Sequence, residues 1–143
     1  MNPTIRAARS ADFFRWYDCF SRFAGVDSEP VSDTVALQVW QWIVQDRPEL
    51  RALVAEEYNG PIVGAAHFRS VPVPRTAQRT VVIDDLIVED SPAGSELALA
   101  LLAEIEKIAA AEGAVSVSWP ETGIADVDAL GESAAVSTRI LAV

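Results

Sequence analysis

The sequence has one cysteine, Cys19, and one histidine, His67. A single cysteine cannot close an intramolecular disulfide, and it fits a reducing compartment, so the expected location is the cytoplasm. One histidine and one cysteine fall far short of a zinc ligand set, and no metal site is expected. No Gly-x-Ser-x-Gly elbow and no Cys–His pairing signal occurs, which leaves a serine or cysteine hydrolase unsupported. The apolar runs are too short and too broken to span a bilayer, so no membrane partner is expected. The opening residues, Met1 to Ser10, lack the apolar core of a signal peptide. Internal repeats and low-complexity tracts are also missing.

Basic residues are scarce in one half only. Residues 1–79 carry nine acidic and nine basic side chains, whereas residues 80–143 carry twelve acidic side chains against Lys107 and Arg139. The net charge of −10 therefore belongs to the second half. With no basic stripe, nucleic acid is excluded as an expected partner. A field of this sign favours a cationic substrate, although surface charge also serves solubility. Half of the 143 residues are apolar, enough for one folded domain over 1–143 with a sizeable core.

Thr4 to Ala7 reads as a first strand. Ser10 is placed to cap a helix over Ala11 to Phe23, ended by Gly25. Its aromatic residues, Phe13, Phe14, Trp16, Tyr17, Phe20 and Phe23, read first as core and second as a pocket wall. Ser32 or Asp33 caps a second helix that stops before Pro48. Leu53 to Tyr58 and Pro61 to Val71 flank Asn59-Gly60, the strongest hairpin signal in the chain. Pro72 to Thr80 is expected to be a loop. Ala114 to Trp119 alternates as a strand that Pro120 ends. Ile124 to Ser133 suggests a short helix, and Ser137 to Val143 one closing strand.

The stretch from Thr80 to Gly113 organises the rest. Val81 to Val88 is a β-rich run interrupted by two adjacent carboxylates, Asp84 and Asp85. Ser91, Pro92 and Gly94 punctuate a turn. A helix over Ser95 to Glu112 follows, with Leu97, Leu101, Leu102, Ile105, Ile108 and Ala109 at helical spacing and Gly113 as its C-terminal cap. Strand, tight turn and helix form a unit able to hold a phosphate-bearing cofactor on the helix N-terminus. On a regular strand Asp84 and Asp85 face opposite sides, so only one of them is expected to meet a substrate.

The run Ile83-Asp84-Asp85-Leu86-Ile87-Val88, the helix register fixed by Leu101-Leu102, and the Val63-Gly64-Ala65-Ala66 arm together resemble the GNAT superfamily of acyl-CoA-dependent N-acyltransferases. The resemblance covers nearly the whole chain. It implies an α/β fold with a mixed, twisted central sheet and helices on both faces. It also implies that the Val81 to Val88 and Ala114 to Trp119 strands are parallel neighbours that splay apart. The family's Arg/Gln-x-x-Gly-x-Gly/Ala loop falls on Ala93-Gly94-Ser95-Glu96-Leu97-Ala98. Ala98 agrees with it; Ala93 stands in place of Arg or Gln, and Glu96 in place of the first motif glycine.

By this resemblance acetyl-CoA is the cosubstrate, held by Leu86, Ile87, Val88, Gly94, Ser95, Glu96, Leu97 and Ala98. Asp84 is the first choice of base and Asp85 the second. The thiolate acid, a tyrosine in many members, falls near Ser133, and neither Tyr17 nor Tyr58 lies there. The implied function is N-acetyl transfer to a small amine. The alternative is a GNAT-fold binding or regulatory module, dimeric through an apolar face, that has lost acetyl-CoA. Glu96 divides the two readings, because its charge at the helix mouth competes with a pyrophosphate.

Overall fold

A computed structural model describes residues 2–23, 31–58, 60–133 and 138–143. Seven strands form one sheet in the order β1-β2-β3-β4-β5-β7-β6. They are β1 (Thr4–Ala7), β2 (Arg51–Glu56), β3 (Ile62–Val73), β4 (Gln78–Val88), β5 (Ser116–Pro120), β6 (Glu132–Ser133) and β7 (Thr138–Ala142). The helices are α1 (Phe13–Phe23), α2 (Asp33–Val44), α3 (Pro92–Ala111) and α4 (Ala125–Asp128). Only β4 and β5 pair in parallel; every other neighbouring pair is antiparallel.

Strand alternation divides the core in two. Leu53, Ala66, Phe68, Val81 and Ile83 pack with Leu101, Leu102 and Ile105 of α3 and Val127 of α4. Ala52, Val54, Ala65 and Ile87 pack on the other side with Trp16, Phe20, Trp40 and Ile43 of α1 and α2. The aromatic face of α1 is thus mostly core: the Trp16 and Trp40 rings lie 4.7 Å apart, whereas Phe14 points to solvent. Cys19 is buried there, and burial pushes its thiol up to about 12.

Local chemistry accounts for most element ends. Ser32 Oγ accepts the Val35 N–H at the start of α2. Gly113 leaves α3 with φ +80°, a backbone conformation open to glycine at little cost. The β2–β3 connection closes with Glu57 N–H to Pro61 O and Gly60 N–H to Glu57 O, while Asn59 lies outside the described residues. Gly25 lies outside them as well.

Five expectations are corrected. Ser10 is not a cap; Ser10–Asp12 is a 3-10 turn, and the Asp12 carboxylate accepts the Arg9 N–H instead. Pro72 is not in a loop but in β3, opposite Arg79, so the β3–β4 turn is only Pro74 to Ala77. A proline is tolerated there because β2 ends at the Arg51–Phe68 pair, and beyond it one edge of β3 has no strand neighbour among the described residues. The helix of Thr80 to Gly113 starts at Pro92 rather than Ser95, since Ser at the N-cap followed by Pro at the first helical position is a favoured start. The expected helix over Ile124 to Ser133 shrinks to α4, and Ser133 lies in β6. There are accordingly two closing strands, not one.

Among the described residues, no helix is long and apolar enough to cross a membrane.

Candidate active site

The parallel pairing of β4 with β5 is short. Val115 N–H bonds Arg79 O, the register runs through Val81–Val117 and Val82–Ser118, and it goes no further, although β4 continues to Val88. Among the described residues, the β5 side of β4 has no strand partner from Ile83 onward. The expected splay is present, and it exposes backbone polar groups in the middle of a sheet, where they need a partner.

The register of β3 on β4 explains where the strands part. His67 pairs with Asp85 and Phe68 with Ile83, leaving Asp84 as an extra residue in β4. Such a bulge bends and twists its strand. It also breaks the two-residue alternation. Ile83 faces the α3 side, as does Leu86, so both carboxylates between them face α1 and α2. The expectation that Asp84 and Asp85 point to opposite faces is corrected by this one unpaired residue. Side-chain contacts agree: Asp85 Oδ2 is 2.8 Å from His67 Nδ1, and Asp84 takes Arg69 Nε and Nη2 at 3.0–3.2 Å, with His67 and Arg69 two residues apart on β3.

His67 is fully buried. Its Nε2 lies 3.0 Å from Trp16 Nε1. An indole N–H only donates, so Nε2 carries the lone pair and Nδ1 carries the proton that is given to Asp85. Both ring nitrogens are occupied. The histidine therefore fixes Asp85. This chain of Trp16, His67 and Asp85 is the part of the site that sequence reasoning missed. No spacing announces it, because its members come from α1, β3 and β4.

Asp84, Asp85, His67 and Arg69 line a cleft of about 360 Å³ together with Phe20, Trp42 and Glu49. Three carboxylates face one guanidinium, and that guanidinium is already paired with Asp84. An aromatic wall beside unneutralised carboxylates suits an organic ammonium. Tyr17 donates to Asp33 and Tyr58 is exposed, so neither tyrosine reaches this cleft. Ser133 is not brought to it either: β5 and β7 stand between β4 and β6 in the sheet.

The expected cofactor residues separate into three groups. Leu86 and Val88 follow the parted edge of β4 on the α3 side, while Ile87 is buried against α1 and α2. Ala98 is buried in the α3 core, and Leu97 presses on Gly64, where an added Cβ would lie 2.6 Å from Leu97 Cδ2. Gly94, Glu96 and Leu97 line a second cleft, of about 540 Å³, with Glu57, Glu89 and Arg22. Ser95 is half-buried in the first turns of α3 and does not line this cleft.

At the mouth of α3 few N–H groups are free. Pro92 has none, Gly94 N–H bonds Ser91 Oγ at 3.0 Å, and Ser95 N–H bonds Ser91 O at 2.9 Å. Glu96 stands in the second turn rather than the first, exposed and facing this cleft. Arg22 is paired with Asp18. Among the described residues no group of three His, Cys, Asp or Glu side chains is arranged to hold a metal ion.

A family model described as the acetyltransferase (GNAT) family matches residues 11–131. A search of curated proteins returns no match. Solved structures similar to this chain include a GNAT family N-acetyltransferase from Escherichia coli in complex with CoA (TM-score 0.74, 18% identity, 99% of this chain and 82% of that one). A ribosomal-protein-alanine N-acetyltransferase from Brucella melitensis matches with TM-score 0.70 and 22% identity over 92% of each chain. An aminoglycoside acetyltransferase from an uncultured soil metagenomic sample matches with TM-score 0.69 and 19% identity over 95% of each. At these identities the likeness shows the fold alone.

Proposed function

The chain belongs to the acetyltransferase (GNAT) family, and from that membership we propose that it is an N-acyltransferase moving an acyl group from a coenzyme A-type thioester to a small amine. The observation that carries this reading is the β4 bulge. It sets two carboxylates on one face, beside the place where β4 leaves β5.

The parted edge of β4 fits the amide-bearing arm of such a thioester, because Leu86 to Val88 offer it unpaired backbone. The α3 mouth does not fit a pyrophosphate equally well. Its N–H groups are mostly used, and Glu57, Glu89 and Glu96 share its cleft. When bound, the thioester supplies an activated acyl carbon whose bond to sulfur gives way to a bond to the amine nitrogen, the sulfur leaving as thiol. The side chains do the rest. Both oxygens of Asp84 are held by the Arg69 fork, which commits it to the ion pair. Asp85 spends one oxygen on His67 and keeps the other for the incoming ammonium. The proposal therefore assigns Asp85 to take the ammonium proton and pass it to water, with Asp84 setting the local charge. Trp42 and Glu49 hold the cation, and holding it near the thioester supplies much of the rate. No tyrosine reaches the cleft, so water protonates the departing sulfur.

The test is thiol release from acetyl-CoA and from acetyl-pantetheine across a panel of primary amines. Amine-dependent release that is lost in Asp85→Asn supports the reading; its absence for every amine and both donors removes it. The second reading, a binding module without a cofactor, is favoured by the crowded α3 mouth. It predicts amine binding by calorimetry with no thioester binding at all.

A further inference from the structure

Resting on the acyltransferase reading, we infer that this site recognises an acyl thioester by its neutral pantetheine arm and gains nothing from the nucleotide diphosphate of coenzyme A. Three independent features of the α3 mouth carry this. The first is the loss of donors. A helix N-terminus holds phosphate through the N–H groups of its first turn; here Pro92 has none and Ser91 Oγ occupies that of Gly94, which leaves Ala93, while Ser95 N–H makes the regular first helical bond to Ser91 O. Ser91 is itself fixed, since its hydroxyl donates to Glu89 Oε2 at 2.9 Å.

The second feature is steric. The Glu89 carbonyl lies against Gly94 so closely that an added Cβ would be 1.7 Å from its oxygen. A carbonyl oxygen, itself partly negative, is thus packed against the third residue of the helix. The third is charge. Glu57, Glu89 and Glu96 share the cleft, and Arg22, the cation among its lining residues, is engaged with Asp18. A pyrophosphate placed there meets carboxylates on a chain whose net charge is already −10. The parted edge of β4, by contrast, presents backbone groups that suit the uncharged amides of pantetheine and carry no charge requirement.

The experiment is calorimetric titration of the whole protein with acetyl-CoA, with acetyl-pantetheine and with adenosine 3′,5′-bisphosphate, each at low and at physiological salt. The expected result is that acetyl-pantetheine binds as tightly as acetyl-CoA or more tightly, and that the bisphosphate does not bind. Added salt should strengthen acetyl-CoA and leave acetyl-pantetheine unchanged, because screening relieves a repulsion. Glu96→Gln should raise acetyl-CoA affinity by about tenfold, one close charge contact's worth, without moving acetyl-pantetheine. Glu112→Gln, at the far end of α3, is the control and should move neither. Acetyl-CoA binding tenfold or more tighter than acetyl-pantetheine, or an acetyl-CoA affinity indifferent to Glu96→Gln, overturns the inference and leaves the acyltransferase reading standing. Failure of both thioesters to bind overturns the two together.

Discussion

Asp84 and Asp85 are chemically identical neighbours on one face, and their partners separate them. Arg69 neutralises the first, while His67 leaves the second half free. Asp85→Asn is accordingly expected to lower turnover by about 10²–10⁴-fold, the usual cost of losing a general base, and Asp84→Asn by markedly less. Steady-state thiol release for the two variants, with thioester binding measured in parallel, checks the order. Equal losses would mean that the Arg69 pair does not restrain Asp84. The partnership of Trp16 with His67 makes a separate claim. In a long-range proton–nitrogen spectrum the neutral imidazole should be the Nδ1–H tautomer. Trp16→Phe, which removes the indole N–H, should leave Nε2 buried without a donor and cost about 1–3 kcal/mol beyond the lost packing.

At the scale of elements, α3 is held at its two ends by two glycines with different duties. Gly94→Ala has no room, because its Cβ would meet the Glu89 carbonyl, and the variant should fail to fold or lose the β4–α3 turn. Nothing lies within 4 Å of a Cβ added at Gly113, so Gly113→Ala should cost only the strain of its positive φ, about 1–2 kcal/mol. Ser91→Ala, which removes the cap, should cost about 0.5–2 kcal/mol, comparable with Gly113→Ala and well below Gly94→Ala. Denaturant midpoints for the three variants test this ranking. The Gly113 end was legible in the sequence because one residue carries the whole signal. The Pro92 start was not, since Ser91, Pro92 and Gly94 serve a turn and a helix start equally well, and only the chain's later course separates the two. The same limit explains the bulge. Ile83 to Val88 reads as a strand in either register, and the extra residue is fixed by where β3 places His67 and Phe68, two strands' worth of pairing that no local pattern contains. The long β3–β4 hairpin was hidden by Pro72, whose usual meaning is reversed by an edge with no strand neighbour among the described residues.

For the whole molecule, acid is the telling condition. The Arg6 guanidinium holds the buried Asp12 carboxyl at about 2, against an ordinary value of 3.8. Arg6 and Arg15 hold Glu56 below its ordinary value as well. Burial pushes the Asp128 carboxyl up, but bonds from Thr122, Trp119 and Gly123 outweigh it and leave it low. A carboxyl whose folded value is depressed stabilises fully above its unfolded value and loses that contribution as pH falls through the folded one. Asp12 alone represents about 2 kcal/mol. Stability should therefore be level between about pH 5 and pH 8 and fall between about pH 4 and pH 2. Melting temperature against pH tests this, and Asp12→Asn should flatten the fall while lowering the plateau. Net charge makes a second prediction at this scale. The kcat/KM for a cationic amine should drop as salt rises, because the acidic half of the chain no longer steers the substrate inward.

The unpaired residue in β4 also makes the chain tolerant of becoming shorter. Remove Asp84 and the ladder closes without a slip: Ile83 still meets Phe68, Asp85 still meets His67, and Leu86 to Val88 keep their partners and their faces. A one-residue deletion inside a central strand ordinarily inverts everything beyond it. Here it would straighten the strand and leave the core in place. The shortened chain should melt close to the natural one and yet bind thioester more weakly, since a straight β4 would run on beside Trp119 and Pro120, the two residues left in β5, and narrow the gap where it opens.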